Sequence, residues 1–148
     1  MERASVHWDV IDPIRDVINI YDGPGVFLTT FNQVSREAGL LFAAYFCQSE
    51  VCNGGFHQFF FNSPGVLAPE AVDGFTAIGQ VHVANLLSQA MALLGSPYIR
   101  EREARQAALD LLPPGRFEEL NDKFFALLGS EAGGFEVAAD RYAAGIAS

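Results

Sequence analysis

Basic residues are scarce in this 148-residue sequence: nine lysines and arginines stand against eighteen acidic residues, which gives a formal net charge of −9. None of the nine lies between Glu37 and Ile99. Nucleic acids and anionic membranes both require a cationic surface, so we expect the chain to bind neither directly. Charged residues of both signs make up only 18% of the chain, below the ~25% of an ordinary domain. The acidity therefore arises from a shortage of bases, and it can still attract a basic protein.

Uninterrupted apolar segments are short, although half of the residues are hydrophobic. No apolar run reaches the ~18 residues that a membrane-spanning helix needs. Residues 1–5 lack the basic and apolar pattern of a signal peptide. The chain is long enough to form one domain with its own core, so we expect a single domain over residues 1–148.

Motifs that carry common chemistries are missing. The two cysteines, Cys47 and Cys52, form no CxxC pair, and we interpret them as reduced and largely buried thiols. Together with His57 they match no usual zinc spacing. Gly54–Gly55 lacks the lysine and the preceding strand of a phosphate-binding loop, and no GxSxG motif occurs. We therefore predict no metal, no cofactor and no catalytic residue.

The most distinctive stretch is 50–65, the densest aromatic segment of the chain. Apolar residues at three- and four-residue steps predict a helix over 33–52, and Asn53–Gly54 is predicted to end it, with one of the two in the left-handed conformation. A short second helix follows and ends at 63–65, because the residue before a proline avoids the helical region. Its core face is predicted to carry three rings, Phe56, Phe59 and Phe60.

Polar side chains interrupt this aromatic stretch at Asn53, His57, Gln58 and Asn62. Buried amides need hydrogen-bond partners, so one interpretation is that these side chains cap neighbouring carbonyls and close the turn. The alternative is a small polar binding pocket. Both interpretations stay open on the sequence.

Helical spacing of apolar residues covers most of the remaining chain. Asp12–Pro13 resembles a helix cap followed by proline at the first helical position. Residues 26–31 are predicted to form a loop or a helical turn, since no second strand can pair with them. An apolar stripe predicts one long helix over 69–94, with Gly79 at a close helix crossing. Adding helices at 99–112, 116–128 and 135–146 predicts an all-α single-domain bundle of roughly six to eight helices around an aromatic core.

Two groups of acidic residues have helical spacing: Asp9, Asp12 and Asp16, and Glu118, Glu119 and Asp122. Residues three or four apart lie on one side of a helix, so each trio is predicted to form one acidic face. The simpler interpretation is a solvated surface, and the functional one is a contact surface for a basic partner.

The positions E-V-x-N-G-G-F-x-Q-F-F-x-N-S-x-G in 50–65 resemble the signature of a bacterial all-helical domain family of unknown function, which includes a DNA-mimic protein. The similarity continues through 77–79, 84–87 and 119–125 and covers roughly 30–128, to which N- and C-terminal helices are added. The resemblance implies an all-helical, bacterial and cytoplasmic protein, and DNA mimicry in at least one relative.

Two functions from different classes are compatible with these observations. The first is a non-catalytic interaction domain that uses an acidic helical surface to bind a basic protein, such as a DNA-binding regulator. The second is a small-ligand-binding module or enzyme centred on the motif between Asn53 and Asn62. Homodimerisation through exposed apolar surface is a third hypothesis.

Overall fold

The computed structural model describes residues 6–147, and the side chains of residues 6–146. Within that range eight α-helices and two short 3-10 segments, Ser63–Leu67 and Glu131–Gly133, account for all regular structure, and no strand is present. The α-helices are α1 (Val6–Ile11), α2 (Pro24–Phe31), α3 (Arg36–Phe61), α4 (Ala68–Ala77), α5 (Val81–Ala92), α6 (Arg102–Asp110), α7 (Glu118–Leu128) and α8 (Phe135–Ala147). The predicted all-α class is confirmed. None of these helices combines the length and the apolar character of a membrane span.

Helix α3 lies at the centre of the molecule and contacts α1, α4, α6, α7 and α8. The three rings predicted for its core face, Phe56, Phe59 and Phe60, are completely buried. Phe56 contacts Phe124 edge-on, with ring centroids 5.1 Å apart. Aromatic pairs of this geometry add to the stabilisation that burial alone gives. The predicted aromatic core is therefore confirmed.

The two N-terminal predictions need correction. Helix α1 ends at Ile11, so Asp12–Pro13 follows a helix instead of starting one. Proline has no N–H and restricts the residue before it, and both effects favour a helix end here. Residues 26–31, predicted as a loop or a single helical turn, belong to α2, which begins with Pro24 in its first turn.

The long helix predicted over 69–94 is in fact two helices, α4 and α5. Gly79 has a φ of 93°, a conformation that glycine adopts without steric cost. The backbone N–H of Gln80 donates to the carbonyl oxygen of Phe75 at 2.8 Å, and that of Gly79 donates to Thr76 at 3.1 Å. This pair of bonds is a Schellman motif, which ends a helix. Gly79 therefore terminates α4, and the prediction that it lies at a helix crossing is wrong.

The C-terminal end of α3 is capped by side chains from α6. Arg105 has no exposed surface, although sequence patterning places it in a charged helix. Its Nε donates to the carbonyl oxygen of Phe60 at 2.6 Å and its Nη2 donates to that of Asn62 at 2.8 Å. Its Nη1 donates to the backbone carbonyl oxygen of Arg100. The last carbonyls of a helix lack internal partners and carry partial negative charge. A buried guanidinium supplies them with hydrogen-bond donors and with a compensating positive charge.

The segment that follows α3 is held by residues just before α6. The Tyr98 hydroxyl donates to the Gly65 carbonyl oxygen at 2.6 Å, and Nη1 of Arg100 donates to that of Val66 at 2.8 Å. Arg100 also forms a two-pronged ion pair with Glu70, both contacts being 2.8 Å long. Planar pairs of this kind are among the stronger charge-assisted interactions. Residues 62–70 are therefore fixed by the chain around 98–105.

Replacing Arg105 with methionine should destabilise the protein by about 3–5 kcal/mol, because buried carbonyl oxygens lose their donors while the side chain keeps a similar length. The free energy of unfolding from urea titration measures the loss. Arg102→Met is the matched control: Arg102 lies on the same helix, is exposed, and donates to the Phe61 carbonyl oxygen at 3.2 Å. The control should lose less than about 1 kcal/mol. Equal losses in both variants would contradict the assigned role of Arg105.

Candidate functional site

The motif at 50–65 forms a kink within α3, at the position where a helix end was predicted. Gly54 has φ −152° and ψ 19°, and Gly55 has φ 76° and ψ −179°. The positive φ therefore belongs to Gly55, and its prediction for Asn53 or Gly54 is wrong. The backbone of Gly55 lies in a region that is essentially restricted to glycine. The helix resumes at Phe56 and continues to Phe61.

Asn121 of α7 stabilises the helix that resumes after the kink. Its Oδ1 accepts a hydrogen bond from the backbone N–H of Phe56 at 2.9 Å, as an N-cap residue does, but from another helix. A Cβ atom at Gly55 would lie 2.8 Å from Asn121 Nδ2. The two segments that share the family resemblance, 50–65 and 119–125, are thus in direct contact. Sequence reasoning missed this role because Asn121 stands in an amphipathic helix with no local sign of a cap.

Gln58 bridges the two halves of α3. Its Nε2 donates to Oε2 of Glu50 at 2.7 Å, across the kink. A Cβ atom at Gly54 would come within 2.0 Å of Gln58 Oε1, so the absence of a side chain at Gly54 gives Gln58 its space. The amide of Gln58 therefore has a structural partner, which supports the interpretation that part of the motif shapes the turn.

The four predicted polar site residues do not converge on one site. Asn53, Gln58 and Asn62 line a groove of about 820 Å³, together with Glu50. His57 faces a different cavity of about 430 Å³, and its ring stacks on Phe61 with centroids 6.0 Å apart. The side chains of Asn53 and His57 are exposed, and those of Gln58 and Asn62 are half-buried. A single site containing all four is not formed.

The C-terminal acidic trio lies on one exposed surface of α7. Glu118, Glu119 and Asp122 are all exposed, and Glu119 pairs with Lys123 at 3.0 Å. The hydrogen bond from Lys123 lowers the pKa of Glu119. Glu118 and Asp122 form no ion pair with any residue that the structure describes. Two carboxylates one helical turn apart therefore remain available on this face.

The N-terminal trio does not form the predicted helical face. Only Asp9 lies within α1, whereas Asp12 and Asp16 follow its last residue. All three are exposed, and Asp12 pairs with Arg15 at 3.1 Å. The prediction assumed one helix through all three positions, and α1 ends at Ile11. These carboxylates are on the surface, but not in one regular row.

Asp110 is an acidic residue that the sequence reasoning did not select. It is exposed at the end of α6 and lines the same cavity as Glu118, His57 and Arg116. Glu103 precedes it by seven residues on the exposed side of α6, and this spacing is the local signal that could have identified the pair. The structure therefore places acidic side chains of α6 and α7 around one cavity.

The cysteine predictions are only half correct. Cys47 is completely buried, and burial raises the pKa of its thiol well above the usual value. Cys52 is exposed, contrary to the prediction, and partial burial of the thiol still raises its pKa. A reactive cysteine needs a lowered pKa, so neither environment favours nucleophilic chemistry. Among the described residues, no group of three or more histidines, cysteines or acids is suited to hold a metal ion.

Fold and surface together define a class: an all-helical domain with a kinked central helix and an acidic exposed surface. Residues 32–145 match the DMP19-like protein family, so the chain belongs to that family. The match runs from the residue after α2 into α8 and agrees, at the level of the family, with the resemblance of the 50–65 motif. No curated protein and no solved structure matches the chain.

Gly55→Ala should destabilise the protein by more than about 2 kcal/mol, because alanine is strained at this φ and its Cβ would clash with Asn121. Thermal and urea unfolding measure the effect. Gly145→Ala is the control, since Gly145 lies in the last turn of α8 and a Cβ atom there meets nothing within 4 Å. It should leave stability unchanged or raise it by up to about 1 kcal/mol. A neutral Gly55→Ala would show that the kink does not require glycine.

Proposed function

We propose that this protein is a non-catalytic interaction domain that binds a basic DNA-binding protein through an acidic edge. The acidic edge consists of Glu103 and Asp110 on α6 and of Glu118 and Asp122 on α7. The observation that carries the proposal is that these four carboxylates are exposed and form no ion pair with a described residue. Membership of the DMP19-like family and the resemblance to a family with a DNA-mimic member support it.

The spacing of these carboxylates suits imitation of a phosphate row. Glu118 and Asp122 are one helical turn apart, and side chains at that spacing lie about 5–6 Å from each other. Glu103 and Asp110 are two turns apart, which corresponds to about 10.5 Å along the helix axis. One DNA strand carries a phosphate about every 3.4 Å of axis, so the interval of about 10.5 Å is close to three repeats, whereas that of about 5–6 Å lies between one repeat and two. The basic side chains of a DNA-binding surface could therefore form ion pairs with these carboxylates.

The non-catalytic character rests on the side chains around the candidate sites. The thiols have raised pKa values, the Cys52 thiol is bonded only to the amide oxygen of Gln48, and His57 has no hydrogen bond to a nucleophilic side chain that the structure describes. General acid–base and covalent catalysis both need such a pair within hydrogen-bond reach. The arrangement therefore favours recognition over reaction.

Charge reversal of the acidic edge tests the proposed function. Immobilised protein should retain a DNA-binding protein from bacterial lysate at about 50 mM salt and lose most of it at about 200 mM, as screening predicts. With the purified partner, Glu118→Lys together with Asp122→Lys should weaken binding at least roughly tenfold, and duplex DNA should compete with the wild type.

The matched control is Asp9→Lys together with Asp16→Lys, which changes the net charge equally at two exposed acids outside the acidic edge. Binding that falls equally in both double variants would show that overall charge, and not the edge, attracts the partner. Binding that is insensitive to salt and to both variants would replace the electrostatic proposal with an apolar interface.

A second candidate function is small-molecule binding in the groove beside the kink. The observation that favours it is that Asn53 and Asn62 line this open groove of about 820 Å³ while their side-chain amides make no hydrogen bond to a described residue. Amides in such a position can recognise polar ligands.

A fragment screen by amide NMR tests the groove. Polar fragments that bind there should shift the signals of Asn53 and Asn62, and Asn53→Ala should abolish the shifts without changing the melting temperature, because Asn53 is exposed. Ser88→Ala, an exposed polar site on α5, should leave them intact. A screen in which no fragment perturbs these residues would leave the groove as a structural consequence of the kink.

A further inference from the structure

A separate cavity of about 420 Å³ lies where α1, α3, the end of α7 and the start of α8 meet. It contains no residue of the acidic edge. Gln48 and Cys52 line both this cavity and the groove beside the kink, so the two are neighbours. The remaining lining residues are His7, Tyr45, Phe125, Leu128, Gly129, Gly133, Gly134, Phe135, Glu136 and Val137. The wall is therefore mainly aromatic and aliphatic.

His7 is the polar group built into this wall. It is only 3% exposed, and both its backbone N–H and its ring are bound to one oxygen, Oδ1 of Asp140, at 2.9 Å and 2.7 Å. Burial alone would raise the pKa of Asp140, but the hydrogen bonds from His7 and from the backbone of Val6, together with the electrostatic interaction with His7, outweigh it and lower that pKa. Asp140 is therefore ionised at neutral pH, and an ionised carboxylate can only accept hydrogen bonds.

The carboxylate fixes the tautomer of the imidazole. Because Asp140 accepts from Nδ1, that nitrogen carries the proton, and in the neutral ring Nε2 is left as an acceptor. The ring is also held by aromatic neighbours, with centroid distances of 5.8 Å to Tyr45 and 6.1 Å to Phe135. A buried histidine held on one side by a carboxylate and two rings is thus a preorganised acceptor in the wall of the cavity.

The charged residues in the wall of the cavity determine the sign of the ligand charge that it favours. No lysine or arginine is among the lining residues that the structure describes, whereas Glu136 lines the cavity and Asp140 lies behind His7. Phe125 and Val137, which are 43% and 50% exposed, give the rim an apolar character. Aromatic faces and carboxylates both favour cations over anions.

We propose that this cavity binds a small primary amine with an aromatic or aliphatic body. The ammonium group donates a hydrogen bond to Nε2 of His7 and is attracted by Glu136. The apolar body packs among Tyr45, Phe125 and Val137. This site contains no residue of the acidic edge and shares only Gln48 and Cys52 with the groove beside the kink, so its test is separate from that of the proposed function.

The probe is 2-phenylethylamine, with phenylacetate as the control of similar shape and opposite charge. The amine should cause saturable shifts of the His7 imidazole signals and of the Val137 amide, with a dissociation constant on the order of 1 mM, as expected for a ligand of this size. Phenylacetate should cause no saturable shift. Equal binding of both probes, or no saturation by the amine, would overturn the proposal.

Two variants locate the site. Val137→Arg places a cation at the rim and should abolish amine binding, whereas Val81→Arg is matched because Val81 is also a valine in the first turn of a helix and is 49% exposed. His7→Phe preserves a ring between Tyr45 and Phe135 but removes Nε2, and it should weaken binding at least roughly tenfold. If His7→Phe does not fold, the two valine variants still decide: unchanged binding in Val137→Arg would reject the cavity as the site.

Discussion

The burial of Arg105 against the end of α3 is the constraint on which the rest of the structure depends. Helix α3 contacts α1, α4, α6, α7 and α8, so its C-terminal end lies inside the protein. The last carbonyl oxygens of the helix therefore need hydrogen-bond donors from other parts of the chain. Arg105 does this with three hydrogen bonds to carbonyl oxygens and none to a carboxylate. A Cβ atom at Gly65 would come within 2.6 Å of its Nε, so the chain after α3 can take its path only without a side chain there.

The kink at Gly55 is the second position at which the α3 backbone depends on a side chain from another helix, and here the backbone needs an acceptor instead of a donor. Arg105 supplies donors to the carbonyl oxygens at the end of α3, whereas Asn121 supplies an acceptor to the N–H of Phe56, where the helix resumes. The aromatic face from Phe56 to Phe60 lies between these two polar caps. The orientation of this aromatic face is therefore set by hydrogen bonds at both ends as well as by packing. This explains why a motif rich in glycine and amides surrounds a set of purely apolar rings.

Local patterns predicted the helices and the core, and missed what depends on distant partners. The spacing of Phe56, Phe59 and Phe60 revealed their common face, because periodicity is a property of neighbouring residues. Arg105 stands among acids and bases in a helix that looked solvated, and only tertiary contact with α3 reveals its burial. Of the candidate site, the exposed trio of α7 was predictable from spacing. The separation of His57 from Asn62 also follows from spacing, because positions five apart in one helix lie about 140° apart around its axis. The separation of His57 from Asn53 was not predictable, because the kink at Gly54 and Gly55 lies between them.

The structural use of arginine also bears on the surface charge. Arg105 is buried and Arg100 is half-buried in its pair with Glu70, so two of nine bases are withdrawn from the surface by the end of α3. Arg15, Arg36 and Lys123 each pair with an exposed acid. Arg102, Arg116 and Arg141 are the described bases outside these contacts, and Arg116 lines the same cavity as Asp110 and Glu118 without forming an ion pair with either. The requirement that holds α3 in place thus uses two arginines for internal contacts, while the carboxylates of the acidic edge stay open to the basic partner that we propose.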